Sequence, residues 1–163
     1  MAPDSTDFMD KVAAWPEPVK LFHPGGELFL TISIRQGYIE TKWSGHLTAD
    51  SIVTAATLYL SLLHKTPVPK LLNDKTDASG DWEDANDWLE YEWLPEAIKS
   101  GLHAIAHVYS NNMFSRLSSR DLLQRLTTHI QVKNFNDPAL AKAWLLSCHV
   151  AGEPSSDSFA NHY

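Results

Sequence analysis

A chain of 163 residues has the usual length of one domain, and its 44% hydrophobic and 20% charged residues exclude wholesale disorder. The formal net charge of -7 opposes binding to a phosphate backbone and argues against nucleic acid as a partner. One cysteine, Cys148, excludes an internal disulfide and a multi-cysteine zinc site. The chain has no signal-peptide pattern and no run of the roughly 20 apolar residues that a membrane span needs, so a cytoplasmic protein is expected.

The first half of the chain has the pattern of four strands and one helix. The predicted strands are apolar or alternating runs bounded by turn residues: 19–23, 28–34, 38–43 and 70–74. Glycine-containing turns separate the first three and predict an antiparallel meander. Thr48 is a typical N-cap for a helix that stops before Pro67, and residues 77–80 are predicted to form a loop.

The second half alternates helices and strands. From residue 81 onward the chain is predicted to be helical, with a kink or restart at Pro95 and an end at Gly101. Two more strands are predicted over 103–109 and 130–135. Apolar residues predict a helix between them: Phe114, Leu117, Leu122, Leu123 and Leu126. Asp137 and Pro138 begin the last helix, which is expected to bury Leu140, Ala143 and Trp144.

This order predicts a single α/β domain, in which an antiparallel meander precedes a mixed, mostly parallel sheet and helices pack on that sheet. The predicted boundaries are an N-terminal arm or short helix over 1–18, the α/β domain over 19–149 and a flexible tail over 150–163. A small acidic domain with six tryptophans has little surface on which to hide every apolar side chain. A homodimer is therefore expected.

Several segments resemble the SpoIIAA-like branch of the STAS superfamily, found in bacteria. They are the strand 103–109, the F-N-D sequence at 135–137, the A-K-A-W-L sequence at 141–145, W-S-G at 43–45 and L-L-N-D at 71–74. The resemblance implies a STAS-like fold that docks protein partners in regulatory switches or, in related folds, holds apolar or nucleotide ligands. STAS anti-sigma-factor antagonists carry a phosphorylated serine after the strand that here ends at Asp74. By resemblance, Ser79 is the candidate phosphorylation site, although acidic residues follow it here.

The segment 74–93 is the predicted partner or ligand surface, because ligands meet the loops beyond the carboxyl ends of parallel strands. It combines carboxylates with large aromatic residues, as an anchor within a polar rim does. Its candidate residues are Asp74, Asp77, Ser79, Asp81, Trp82, Trp88 and Trp93. Two plainer interpretations stay open: the tryptophans are core residues, and Ser79 only caps a predicted helix.

No catalytic signature is present, so the sequence predicts a regulatory or protein-binding module without a cofactor or metal. There is no G-x-S-x-G elbow or Walker A loop, and Cys148 and His149 point in different directions on a helix. His103 and His107 lie roughly 13 Å apart along a strand and cannot share a metal. Two alternatives remain. One is a carrier for a small apolar ligand; the other is an enzyme whose pocket brings Asp74 or Asp77 to a histidine.

Overall fold

The computed structural model describes residues 5–109, 124–127 and 129–150. These ranges contain one sheet of six strands, arranged in chain order across the sheet. The strands are β1 (Val19–Phe22), β2 (Leu28–Arg35), β3 (Tyr38–Leu47), β4 (Lys70–Gly80), β5 (Ala104–Tyr109) and β6 (Gln131–Phe135). The helices are α1 (Ser5–Ala14), α2 (Ala49–Lys65), α3 (Asn86–Trp88), α4 (Leu94–Lys99) and α5 (Pro138–Ser147).

The predicted fold class is confirmed. Strands β1, β2 and β3 pair antiparallel as a meander, and β3 to β6 pair parallel. Helix α2 connects β3 to β4 and the segment 83–99 connects β4 to β5, as parallel pairing requires. Three of the five strand pairings in the described ranges are therefore parallel.

The predicted loop over 77–80 is wrong, because β4 continues through it. Strand β3 also continues beyond residue 43, and a register irregularity near that point restores parallel pairing between 44–47 and 77–80. Gly80 closes the strand with a φ of +112°, and a Cβ there would lie 2.1 Å from the carbonyl oxygen of Leu47. Only glycine fits this close approach of two backbones.

Helix α2 and the segment 83–99 pack on one face of the sheet. Thr48 caps α2 as predicted, accepting from the Ser51 amide in a capping box, and α2 ends before Pro67. Within the 83–99 segment a 3-10 turn leads into α3, then a π-helical turn over Leu89–Trp93, then α4 with Pro95 in its first turn. The predicted restart at Pro95 is confirmed. The buried face of these helices joins the larger of two hydrophobic clusters.

Helix α5 covers the other face of the sheet, but with a different stripe from the predicted one. Asp137 caps it as predicted, while Leu140 and Ala143 are exposed and Trp144 is half-buried. The buried stripe is instead Ala141, Leu145 and, just beyond the helix, Cys148. The reason is geometric. The stripe of α5 that faces β4 and β5 packs in a cluster with small side chains, whereas the ring of Trp144 packs against that of Phe135 on the edge strand β6.

Some predictions lie outside the described ranges. These are the helix positions Phe114, Leu117, Leu122 and Leu123, and the tail beyond residue 150. The domain boundaries and the homodimer stay predictions. Within the part of the chain that is described, no helix combines the length and apolar character needed to cross a membrane.

Candidate functional site: an interior cavity

Alternate residues of β4 and β5 carry polar groups into the core beneath α2. Leu71, Asn73 and Lys75 share one face of β4, because side chains alternate along a strand. Parallel register sets Asn73 opposite His107 of β5. All of these side chains are buried, so the sheet has a row of polar groups at its centre.

Hydrogen bonds join this row across three strands. The Asn73 Oδ1 atom accepts from Thr41 Oγ1 at 2.7 Å and from the Trp43 Nε1–H group at 2.6 Å. The Asn73 amide nitrogen lies 2.9 Å from His107 Nδ1. The Asn73 amide therefore joins three strands, and Thr41 Oγ1 has a second, longer contact with the Leu72 carbonyl oxygen at 3.4 Å.

The network also sets the tautomer of His107. An indole N–H can only donate, so the atom of Asn73 that faces Trp43 is the oxygen, and the amide nitrogen faces His107. That nitrogen donates, so His107 Nδ1 accepts and the ring proton resides on Nε2. His107 Nε2 is buried and has no hydrogen-bond partner among the described residues.

Lys75 stands next to this row, within a group of aromatic rings. It is 3% exposed, and its Nζ lies 4.3 Å from the ring centroid of Trp82, 5.1 Å from that of Trp43 and 5.9 Å from that of Tyr109. Ring faces attract an ammonium group. They offer it no negative charge and no lone pair comparable to a carboxylate.

Lys75 has no counter-ion in the described ranges. No hydrogen bond or ion pair joins its Nζ to a residue there, in contrast to buried Lys70, whose Nζ donates to the carbonyl oxygen of Leu146 at 3.1 Å. Burying an ionised group without a partner costs several kcal/mol. Lys75 is therefore the polar group of this core that is worst satisfied by the described residues.

A cavity of about 60 Å³ lies between this face of the sheet and α2. Apolar residues make up most of its lining, with Ile52, Ala55 and Tyr59 from α2 and Leu89 and Trp93 from the 83–99 segment. Lys75, His107, Thr41 and Asn73 line it from the sheet. The Tyr59 hydroxyl is also buried without a partner among the described residues.

Burial changes the acid–base chemistry of these groups. It lowers the pKa of Lys75 from 10.5 to about 7, so a large share of this amine is uncharged at neutral pH. It lowers the pKa of His107 to about 3, with the nearby Lys75 charge contributing in the same direction. It raises the pKa of Tyr59. At neutral pH the cavity thus holds a neutral imidazole, a neutral phenol and an amine near half-protonation.

The predicted surface residues are divided between the core and the solvent. Trp82 and Trp93 are buried at 1% and 6% exposure, Trp88 is half-buried, and Asp74 is buried on the sheet face opposite the cavity. Only the short polar residues of the set are exposed: Asp77, Ser79 and Asp81. The interpretation of the tryptophans as core residues therefore describes Trp82 and Trp93, and the surface as a binding site stays a prediction.

Ser79 does not lie at a helix N-terminus as predicted. It is an exposed residue of β4, opposite His46 of β3, and the next helical turn begins only at Glu83. The amide groups of a helix N-terminus, which favour a bound phosphate, therefore do not lie at this serine. Modification of Ser79 stays a prediction that rests on the family resemblance alone.

The predicted acid–base pocket has a different composition. His107 does line a cavity, but no Asp or Glu is found among the described residues that line it. Asp74 instead accepts from the amide and the hydroxyl of Thr76. His103 precedes β5 and is exposed, so its environment differs from that of the buried His107. The described residues hold no cluster of three metal-ligating side chains.

Comparison with known proteins gives a likeness of fold. No protein-family model matches the chain, and no curated protein is similar to it at a significant level. The chain is similar to the crystal structure of an uncharacterized protein of the DUF3478 family from Shewanella loihica PV-4, with 22% identity and a TM-score of 0.46, covering 71% of this chain and 91% of that one. That protein has a SpoIIAA-like fold. The likeness concerns the fold and says nothing about function.

Lys75 is the site residue that the sequence analysis does not predict. Two signals for it were available: Leu71, Asn73 and Lys75 alternate along a strand predicted to be buried, and Ile105, His107 and Tyr109 do the same on the next. Strand alternation puts each set on one face. Their meeting depends on the register between β4 and β5, which no local pattern specifies.

Proposed function

We propose that this protein is a binding domain for a small, mostly apolar molecule that occupies the interior cavity. The observation that carries the proposal is a group of poorly satisfied buried polar atoms at the cavity wall. His107 Nε2 and the Tyr59 hydroxyl have no hydrogen-bond partner among the described residues, and the contacts of Lys75 Nζ there are with aromatic rings. Native cores pair nearly all their buried polar atoms. A ligand with an apolar body and one acceptor oxygen supplies the missing partner.

The volume limits the ligand. The cavity measures about 60 Å³, and a water molecule takes up ~30 Å³ of the liquid, so the space fits a molecule of a few heavy atoms or the end of a longer one. The apolar lining excludes strongly hydrated ions. These properties favour the ligand-carrier interpretation over one that requires exposed tryptophan anchors.

Filling the cavity tests the proposal. In Ala55→Leu a longer side chain replaces a buried methyl group of the lining, and we expect binding of xenon and of butan-2-ol to fall at least about tenfold. Thr57→Leu places the same side chain on the exposed face of α2 and is expected to bind as the wild type does. Binding is measured from amide chemical shifts of β4 and β5 in NMR titrations. Equal shifts in all three proteins, or none in the wild type, would contradict the proposal.

A regulatory, protein-binding role is the second candidate, supported by exposed carboxylates beside the end of β4. Asp77, Asp81, Glu83, Asp84 and Asp87 are all exposed. Such a row favours a basic partner, whose attraction is screened over about 8 Å at physiological salt. This role does not require the cavity, because none of these exposed carboxylates lines it.

Neutralising three of these carboxylates tests the second candidate. Replacing Asp81, Glu83 and Asp84 by Asn, Gln and Asn should leave unfolding unchanged within about 0.5 kcal/mol, because exposed positions contribute little to stability. A protein captured from native lysate by the wild type at low salt should be lost by the triple variant and retained by Glu92→Gln. Capture that is equal in all three proteins would place the docking site elsewhere.

A further inference from the structure

Lys75 has the features of a lysine that reacts rather than one that supports the fold. A structural buried lysine finds an acceptor, as Lys70 does at the end of α5. Lys75 finds only ring faces and a cavity. Its amine is held in place by the rigid rings, at the carboxyl-end half of a central parallel strand, where α/β proteins place their ligand chemistry.

We propose that the cavity takes a small aldehyde or ketone and that Lys75 Nζ binds it covalently as an imine. This rests on the proposed function and names the ligand class of the same cavity. The neutral amine attacks the carbonyl carbon, and a proton passes from nitrogen to oxygen to give a carbinolamine. Loss of the hydroxyl group with the second N–H proton, as water, leaves a C=N bond. No oxidant or reductant is required, and water reverses the reaction.

The neighbouring groups match a carbonyl oxygen. The hydrogen-bond network leaves the proton of His107 on Nε2, so this atom is a donor toward the cavity, and the Tyr59 hydroxyl is a second donor. Either one stabilises the oxygen that becomes negative as the amine attacks. The same two donors would be unsatisfied in an empty cavity, which is the cost that binding removes.

The charge balance favours a carbonyl compound over a carboxylate. A carboxylate would neutralise the ammonium form of Lys75, but it would bring a second ion into an apolar cavity and add its own cost of desolvation. A neutral carbonyl adds no charge and uses the uncharged amine, which burial makes available at neutral pH. The lack of any carboxylate among the described lining residues likewise keeps the amine from being held as an ammonium ion.

Reductive trapping tests the proposal on the intact protein. Butanone with cyanoborohydride at pH 7 converts an imine into a stable secondary amine, located by peptide mass mapping. We expect labelling at Lys75 to be at least about tenfold faster than at Lys99, whose side chain is 72% exposed, because an amine of lowered pKa has a far larger neutral fraction. Lys75→Met should lose the fast phase only, and Lys99→Met should keep it.

The variants and probes separate this proposal from the one on which it rests. If butan-2-ol binds in the cavity but butanone labels Lys75 no faster than Lys99, the imine is overturned and the ligand-binding function stands. If neither molecule binds, the binding function fails as well. Fast labelling that persists in Ala55→Leu would place the reaction outside the cavity and overturn the proposal. Stronger binding of propanoate than of butanone, without labelling, would assign the cavity to anions and overturn it too.

Discussion

Asn73→Ala is expected to lower the free energy of unfolding by about 3 to 5 kcal/mol. The substitution leaves the Trp43 Nε1–H group and His107 Nδ1 without their partner, and each such buried polar group costs about 1–3 kcal/mol. Thr41 loses its shorter hydrogen bond and keeps the one to the Leu72 carbonyl oxygen at 3.4 Å. Water entering the enlarged cavity offsets part of this sum. Urea denaturation monitored by tryptophan fluorescence measures the difference.

Asn134→Ala is the matched control for this prediction. Asn134 lies opposite His107 on the edge strand β6, is half-buried, and its Oδ1 atom has no hydrogen-bond partner among the described residues, so its loss should cost less than about 1 kcal/mol. Similar losses for the two asparagines would show that the network contributes no more than a generic side chain does. The difference between them therefore measures the polar row itself.

The sequence predicts the fold better than it predicts the site, for a physical reason. Strand alternation, the Thr48 cap and the Asp137 cap are local signals, and each appears in the structure where it was predicted. The extension of β4 through Ser79 is not local, since it depends on hydrogen bonds to β3. The small residues at 77–80 have low strand propensity and favour a loop by themselves, and only tertiary pairing makes them a strand.

The candidate site required a distance that sequence does not contain. The sequence identifies Trp82 as a large aromatic residue, but its role in the site depends on its ring centroid lying 4.3 Å from Lys75 Nζ. The sequence pairs His107 only with His103 on its own strand, whereas its hydrogen-bond partner, Asn73, lies on the neighbouring strand. Charged residues in strands usually face solvent, so a lysine in β4 attracts notice only when burial is known.

Lys75→Met is expected to remove a pH-dependent loss of stability. The folded pKa of Lys75 is about 7 against 10.5 in a solvated chain, so between these values the unfolded state binds more protons than the folded state. Stability attributable to this residue therefore rises as the pH rises from 7 toward 10.5, and the cost is fully present below pH 7. Between pH 7 and 9 the slope approaches 1.4 kcal/mol per pH unit, which gives a total change of about 2–3 kcal/mol.

The variant tests both the sign and the magnitude of this effect. A methionine of similar length fills the same aromatic surroundings without a charge, so Lys75→Met should be more stable than the wild type at pH 7 by about 2–4 kcal/mol. By pH 9 this gain should have fallen by about 2–3 kcal/mol. Subtracting the variant from the wild type cancels the titration of all other groups, including Cys148, whose pKa burial raises. Lys99→Met, at an exposed position, should show no such difference. A wild-type-minus-variant difference that stays constant from pH 7 to 9 would show that Lys75 does not titrate in this range, and the neutral amine on which imine formation depends would then be scarce at pH 7.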